Sequence, residues 1–477
     1  MTILLVLLRS AVPMFWEATL NSDQAIVGLM AKHLSEFRSF PLFFYGQNYM
    51  LGVQSWIAVP FFWLGGPTVA MLRLPLVMVS VGVAVAFIAA LMRLGLRPRF
   101  ALVASLPIIV TTPVVSDSLL ETMGASVEPF AYVLLLWALR RHPTWFGVVF
   151  CVAHLHREFV LFAAPALVIA QWRERRWWTL GETARAAGAF AALWLLIDVL
   201  KRTVNAVGPP GGEHITGSLA LQPQQILAWL SVEAEPYFGR LRHALLEAVP
   251  HMLGARAYTL SRYSLLGELE AGYAAAGLAF AAAVVLCVIR ITPRSSRASD
   301  ESPESAAFVL YLCAIGMQTL LAYGLNTGIP PEHPPVIRYL LFVLLIPVAL
   351  FAKFFLRERQ RPWQTAVAAM ICGWALFTVA DNVRWLQSFI RFPPPHAHRE
   401  IADYLVSQGI QYARAGYWDA YAITFLARER VIVASTEKVR ISAYQALVDR
   451  NSSAAVTLWR QPCSKGPTVS EWCIQRP

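Results

Sequence analysis

Two neighbouring stretches, NSDQAIVGLMAKHLSEF at 21–37 and PLFFYGQNYMLGVQSW at 41–56, gather the side chains best suited to chemistry. Asn21 or Ser22 can cap a helix in which Ile26, Leu29, Met30 and Leu34 recur at helical spacing, with Asp23 in its first turn. A first-turn acid often does no more than complement the helix dipole. Here it is followed by an aromatic and amide run, Tyr45, Gln47, Asn48 and Tyr49, and such a run suits a hydroxylated ligand.

A second group stands in HLHREF (154–159), where His154, His156, Arg157 and Glu158 lie between apolar stretches. Ionisable residues so close to a membrane span are expensive to keep, which makes them functional candidates; the plainer reading is a solvated turn in which Arg157 and Glu158 satisfy each other. SDSLLETMGASVEP (116–129) supplies Asp117, Glu121 and Glu128, and RYLLFVLLIP (338–347) opens on Arg338. Asp117 and Glu128 lie nearer the ends of apolar segments, where capping is an adequate explanation. Glu332 and His333 occupy a proline-rich turn that favours polar residues whatever their role.

The elements that must position these residues are membrane spans. A mean hydropathy of +0.51 with 57% apolar residues is far above the soluble range. The net charge of +11 sits in loops flanking apolar segments rather than along one polar face, which fits inner-leaflet lipid and argues against nucleic acid. Five basic clusters recur between the hydrophobic segments: RLGLRPR (93–99), RR (140–141), RERR (173–176), RITPRSSR (290–297) and KFFLRERQR (353–361). Short cytoplasmic loops collect such residues, so the clusters set a topology.

Residues 71–92, 183–200, 271–290, 306–325, 336–353 and 363–382 each approach one crossing, with shorter runs at 100–116 and 126–139. Basic clusters on both sides of Trp145–Trp172 require a hairpin of two short spans with its apex at HLHREF. Residues 51–64 fit an in-plane helix at the outer surface, because a crossing there would invert RLGLRPR. The N-terminal MTILLVLLRSAVPMFW lacks a charged leader and a cleavage site, and reads as a short or truncated first span. The expectation is an α-helical polytopic membrane protein with eleven spans, the N-terminus inside and the C-terminus outside. Residues 17–70, 201–270 and the tail then face outward, with any active site on that side. Trp16, Trp56, Trp63, Trp172, Trp177, Trp178 and Trp385 are expected to form interfacial belts.

Within 386–477, HREIADYLVSQG and WDAYAITFLARE read as helices and IQYARAG and RVIVAS as strands, so the tail is expected to be a small α/β module distinct from a membrane domain at 1–385. Cys463 and Cys473 are the only cysteines outside the spans, and an extracytoplasmic compartment would allow them to pair. No Walker A loop, GxGxxG after a strand, HExxH or GxSxG elbow occurs, which leaves nucleotide, zinc and serine-hydrolase readings without an anchor.

The acid just past the first span, FYGQNY, GGPTVAMLRLP (65–75) and the RYLLFVLLIP start of a late span together resemble the GT-C glycosyltransferases. Within that superfamily the resemblance is to bacterial family 39-like enzymes, relatives of the protein O-mannosyltransferases and the lipid A aminoarabinose transferase. The Asp-Glu pair typical of the O-mannosyltransferases is replaced by Asp23-Gln24. The resemblance implies transfer of a sugar from a polyprenyl-phosphate carrier to a lipid, glycan or protein acceptor at the outer face of a bacterial-type inner membrane. Asp23 would take the acceptor proton, with Glu121 as the second acid. Arg157 and Arg338 would meet the donor phosphate, and Tyr45, Gln47, His156 and Glu158 would bind substrate. A magnesium or manganese ion shared by Asp23, Glu121 and a histidine is conceivable, though no spacing demands it. The competing readings are a flippase for a lipid-linked sugar and a GT-C-like protein without catalysis.

Overall fold

The computed structural model describes residues 1–47, 50–123, 126–203, 234–255, 270–291, 302–325, 336–463 and 467–476. Six helices among these are long and apolar enough to cross a membrane: Val69–Arg93, Leu180–Lys201, Gly272–Ile291, Pro303–Gly324, Ile337–Arg357 and Arg361–Arg391. By length and composition the chain is an integral membrane protein.

The other expected crossings differ from that pattern. The segment at 100–116 is two helices, Pro98–Ile109 and Pro113–Leu120, bent by 79°. Pro113 causes the break: it occupies the first helical turn, and the residue before it, Thr112, is forced into extended backbone at φ −63°, ψ 160°. Thr2–Phe15, Glu128–Leu139, Pro143–His156 and Ala163–Glu174 have 12 to 14 residues each. At about 1.5 Å per residue these are shorter than a bilayer's hydrocarbon core. By length and composition alone, the described residues hold six straight spans, or seven with the bent pair, and the shorter helices do not add to that number.

The hairpin expected at 145–172 is present: Pro143–His156 ends at Arg157, Glu158–Phe162 forms a 3-10 turn, and Ala163–Glu174 returns. Its first arm packs on Leu180–Thr203 and its second on Pro303–Gly324. The basic turns meet acids from other turns at the end of the bundle opposite the hairpin apex. Arg140 reaches Glu304 at 2.5 Å and Glu174 at 3.3 Å, and Arg290 reaches Glu358 at 2.7 Å. Trp63, Trp172 and Trp177 are exposed, as belt residues would be. Trp16 and Trp385 are not; they are buried and pack edge to face at 5.6 Å, joining the first helix to the last span.

The tail begins later than the sequence boundary at 385/386, which falls inside the helix Arg361–Arg391. Its five strands are β1 (Tyr412–Ala415), β2 (Ile432–Ser435), β3 (Val456–Arg460), β4 (Thr468–Val469) and β5 (Trp472–Gln475), in the order β2-β1-β3-β5-β4. β1 runs parallel to β2 and β3, with helices Tyr417–Leu426 and Ser442–Arg450 as the crossovers; β5 is antiparallel to β3 and β4. Cys463 and Cys473 are disulfide-bonded, with Cα atoms 5.6 Å apart.

The sheet is not an independent body. Ile26, Met30, Tyr45 and Phe62 from the first loop share one hydrophobic core with Tyr421, Phe425 and Trp472 from the tail. Helix Ser22–Ser35 is consequently buried on most sides, between Val53–Gly65 and Tyr417–Leu426. The closest approach is at Gly28, where an added Cβ would lie 2.5 Å from the Phe425 ring.

Candidate active site

Asp23 stands at the head of Ser22–Ser35. The Asn21 side chain accepts the Gln24 amide at 3.0 Å, and the Ser22 hydroxyl accepts the Tyr421 amide at 3.1 Å, so the helix start is fixed from both sides. The half-buried Asp23 carboxylate accepts the hydroxyl of Tyr417. Tyr417 receives Arg440 Nε at 3.3 Å, and Lys438 Nζ lies 5.5 Å from the centre of its ring. Burial and the charge of Asp23 push the Tyr417 phenol above its usual range, which keeps it a donor at neutral pH. Arg440 also donates to the Gly46 carbonyl at 3.2 Å. Gly46 permits this approach because its φ is +69° and a Cβ there would sit 2.9 Å from Arg440 Cα.

Arg338, at the start of Ile337–Leu344, donates Nη1 to Glu121 Oε1 at 3.1 Å and Nη2 to the Tyr339 hydroxyl at 3.3 Å. Glu121 ends the short helix after the Pro113 break, so that kink delivers its carboxylate to Arg338. Asp23 is close enough to act on Arg338 electrostatically, and Glu121 acts in the same way on Arg157. Arg338, Tyr339, Phe130, Phe159, Phe342 and Ser126 are among the residues lining a narrow, mostly apolar cleft with a cavity volume of about 10 Å³. Asp23, Glu121, Arg338 and Arg157 are thus brought to one end of the molecule.

Arg157 and the other sequence candidates make contacts of their own. Arg157 is buried and makes no ion pair with Glu158, which is exposed. Its Nη1 instead reaches Met50 Sδ at 3.3 Å and the His156 carbonyl at 3.2 Å. His156 is buried against Tyr132, whose hydroxyl lies 2.9 Å from Nδ1. Glu128 does not cap its helix, whose start carries no side-chain cap; its carboxylate takes the Ser126 hydroxyl. Tyr45 is fully buried, with its hydroxyl 2.9 Å from His33 Nδ1 in a network joining the first loop to the tail, and Gln47 is buried beside it in sequence. Asn48, Tyr49, Glu332, His333 and most of 201–270 lie outside the described residues.

That network centres on Glu429, which meets Lys32 at 2.5 Å, His33 at 3.0 Å, the Tyr444 hydroxyl at 2.7 Å and also Arg38. Burial by itself would raise the Glu429 carboxyl; the hydrogen bonds from His33 and Arg38, with Lys32, hold it far below the usual carboxylate range. Among the described residues no three His, Cys, Asp or Glu side chains stand together as a metal site. Asp23 accepts from Tyr417 and Glu121 from Arg338.

Tyr417, Lys438 and Arg440 were not anticipated. They lie in a helix and a loop of the tail, some 400 residues from Asp23, and no local spacing marks them; only the i, i+4 recurrence of Tyr417 and Tyr421 hints at a helix face turned to a partner.

No protein-family model and no curated protein matches the chain. Solved structures do. Over 96% of its length the chain is similar to ArnT from Cupriavidus metallidurans bound to undecaprenyl phosphate, with 12% identity, 92% of that chain covered and a TM-score of 0.44. It is similar over 96% of its length to the Archaeoglobus fulgidus oligosaccharyltransferase in complex with zinc and sulfate, with 11% identity, 67% of that chain covered and a TM-score of 0.48. The same archaeal protein, AglB, in complex with an inhibitory peptide and a dolichol-phosphate matches at 11% identity over 96% of this chain and 68% of that one, with a TM-score of 0.43. Likeness at this level assigns no function, which is left to the site's own geometry.

Proposed function

We propose that the chain is a GT-C-like membrane glycosyltransferase that moves a hexosyl or pentosyl unit from a polyprenyl-phosphate carrier to an acceptor hydroxyl at the outer face. The observation that carries this reading is the pairing of chemistries at one place: a carboxylate, Asp23, within electrostatic reach of an arginine that lines an apolar cleft. The apolar lining suits contact with the first isoprene of a prenyl chain, and Arg338 suits the phosphate at its head. The acceptor oxygen attacks the anomeric carbon as its proton passes to Asp23. The bond from that carbon to the phosphate oxygen breaks, and the charge gathering on the leaving lipid phosphate is met by Arg338, with the buried Arg157 adding positive charge nearby. Glu121 orients Arg338 in the free protein through the 3.1 Å contact. No metal enters this scheme.

The eleven-span topology with its C-terminus outside belongs to the same reading. It places the site on the face away from the basic turns, in an inner membrane of bacterial type. The test is incubation of purified protein with radiolabelled polyprenyl-phosphate sugars and candidate acceptors. Labelled product made by the native chain and lost in Asp23→Ala supports the scheme. Product that survives the substitution removes Asp23 as the base, and lipid movement without product indicates a flippase.

A further inference from the structure

Beside the cleft that Arg338 lines is a buried polar cluster that the transfer step does not fully account for. Glu128, His156 and Arg157 are only 5%, 1% and 5% exposed, and each keeps one polar atom unpartnered: Glu128 Oε1, His156 Nε2 and Arg157 Nε. Their other atoms are fixed. The Ser126 hydroxyl donates to Glu128 Oε2 and receives Gln54 Nε2 at 2.8 Å, while Tyr132 holds His156 Nδ1. Tyr132 is one helical turn from Glu128, and Glu128, Tyr132 and Arg157 act on one another electrostatically.

Glu128 and Arg157 nevertheless form no ion pair. A buried carboxylate and a buried guanidinium held apart are each costly, and three unmatched buried atoms in one cluster call for a reason. The charges restrict what can satisfy them. An anion set between Arg157 Nε and Glu128 Oε1 would be repelled by Glu128, and a cation there by Arg157, whereas a phosphate held farther off at Arg338 is not in that position. A neutral hydroxyl can donate to Glu128 Oε1 and accept from Arg157 Nε, and a neighbouring hydroxyl can meet His156 Nε2. Ser126 belongs both to this cluster and to the cleft that Phe130 and Phe159 line.

We infer that Glu128, His156 and Arg157 form a subsite for adjacent hydroxyls of an uncharged sugar ring. It rests on the proposed function, in which Arg338 holds the phosphate carrying that sugar. Arg157 then reads the sugar through Nε as well as lending charge to the phosphate.

The experiment measures binding of two probes to the detergent-purified full chain: polyprenyl phosphate alone, and polyprenyl phosphate bearing one neutral hexosyl residue. The isosteric Glu128→Gln should weaken the sugar-bearing lipid about tenfold or more, as loss of a charge-assisted hydrogen bond does, and leave the bare lipid within about twofold. His156→Gln should act in the same direction and serves if the first variant does not fold. Arg338→Gln should weaken both lipids. Equal weakening of both lipids by Glu128→Gln, or none, overturns the subsite while leaving the donor reading intact. A native chain that binds neither lipid overturns the donor reading. Methyl hexosides then decide the subsite alone: binding that Glu128→Gln abolishes supports it, and no binding ends it.

Discussion

Tyr417 of the tail donates its hydroxyl hydrogen bond to the carboxylate of Asp23, 394 residues earlier in the chain. The contact places a residue of the α/β sheet directly on the group proposed to take the acceptor proton, and Arg440 steadies the phenol from the other side at 3.3 Å. The site is therefore complete only when the tail is docked on the first loop.

Asp23→Asn removes the base and keeps the shape. Its expected effect is a fall in kcat of about 10²- to 10⁴-fold, the usual contribution of a positioned proton acceptor, with the donor KM little changed. Tyr417→Phe removes the hydrogen bond that orients Asp23, together with the one the phenol accepts from Arg440, and is expected to lower kcat about tenfold. Steady-state kinetics with the labelled donor distinguishes the two, and a Tyr417→Phe enzyme with native kcat would show the contact to be structural.

Arg338 is expected to act on the donor. Arg338→Gln should raise the donor KM about 10- to 100-fold, as loss of a hydrogen bond between charged groups does, and it also leaves Glu121 without its partner. Arg338→Lys keeps the charge and loses the fork, so a partial effect is expected. Titration of both variants with the lipid-phosphate donor checks the order; equal donor binding by native and Arg338→Gln protein would remove Arg338 from the phosphate.

The Glu429 network should make tail docking acid-sensitive. The folded carboxyl lies far below its ordinary value of 4.5, so its contribution to stability is complete above that value and is lost as pH falls below it toward the folded one. Limited proteolysis of the tail should accelerate over that acid range. Glu429→Gln should cost about 3 kcal/mol at neutral pH, because Lys32 and Arg38 lose their shared anion. The variant should also flatten the acid dependence, and an unchanged proteolysis profile would show that docking does not depend on this network.

Gly28 allows helix Ser22–Ser35 to meet the Phe425 ring. Gly28→Val places methyl groups where the ring now lies, in a core where Phe425 is 1% exposed and has little room to turn. A loss of about 1–3 kcal/mol is expected, as for other overpacked cores, with thermal unfolding in detergent as the measurement. Activity should fall with docking, and the double variant Gly28→Val with Phe425→Leu should recover part of both.

Much of the framework was legible in local pattern. The long spans follow from uninterrupted apolar runs; the hairpin apex at Arg157 follows from the basic clusters on either side; and both helices and both strands anticipated between 398 and 435 follow from periodicity. The break at Pro113 was legible in principle, because Thr-Thr-Pro cannot continue a helix, but the apolar run across 100–116 concealed it. Glu128 was assigned to capping because its position near a helix start is what sequence shows. Its pairing with Ser126 depends on the path of the loop before it. Tyr45 illustrates the same limit: its aromatic and amide neighbourhood suits a ligand, yet burial against His33 fills its hydroxyl.

By itself the sequence determined that this is a membrane protein, where its six long apolar helices lie, and that Asp23 heads a capped helix, because hydropathy, charge placement and capping act over a few neighbouring residues. Only the tertiary structure decided that Glu121 pairs with Arg338 at the edge of an apolar cleft, that Asp23 lies within electrostatic reach of that arginine, and that Tyr417 and Arg440 join Asp23. Those contacts span up to 394 residues, and they exist because the apolar face of Ser22–Ser35 is buried by a tail helix that no short-range pattern specifies.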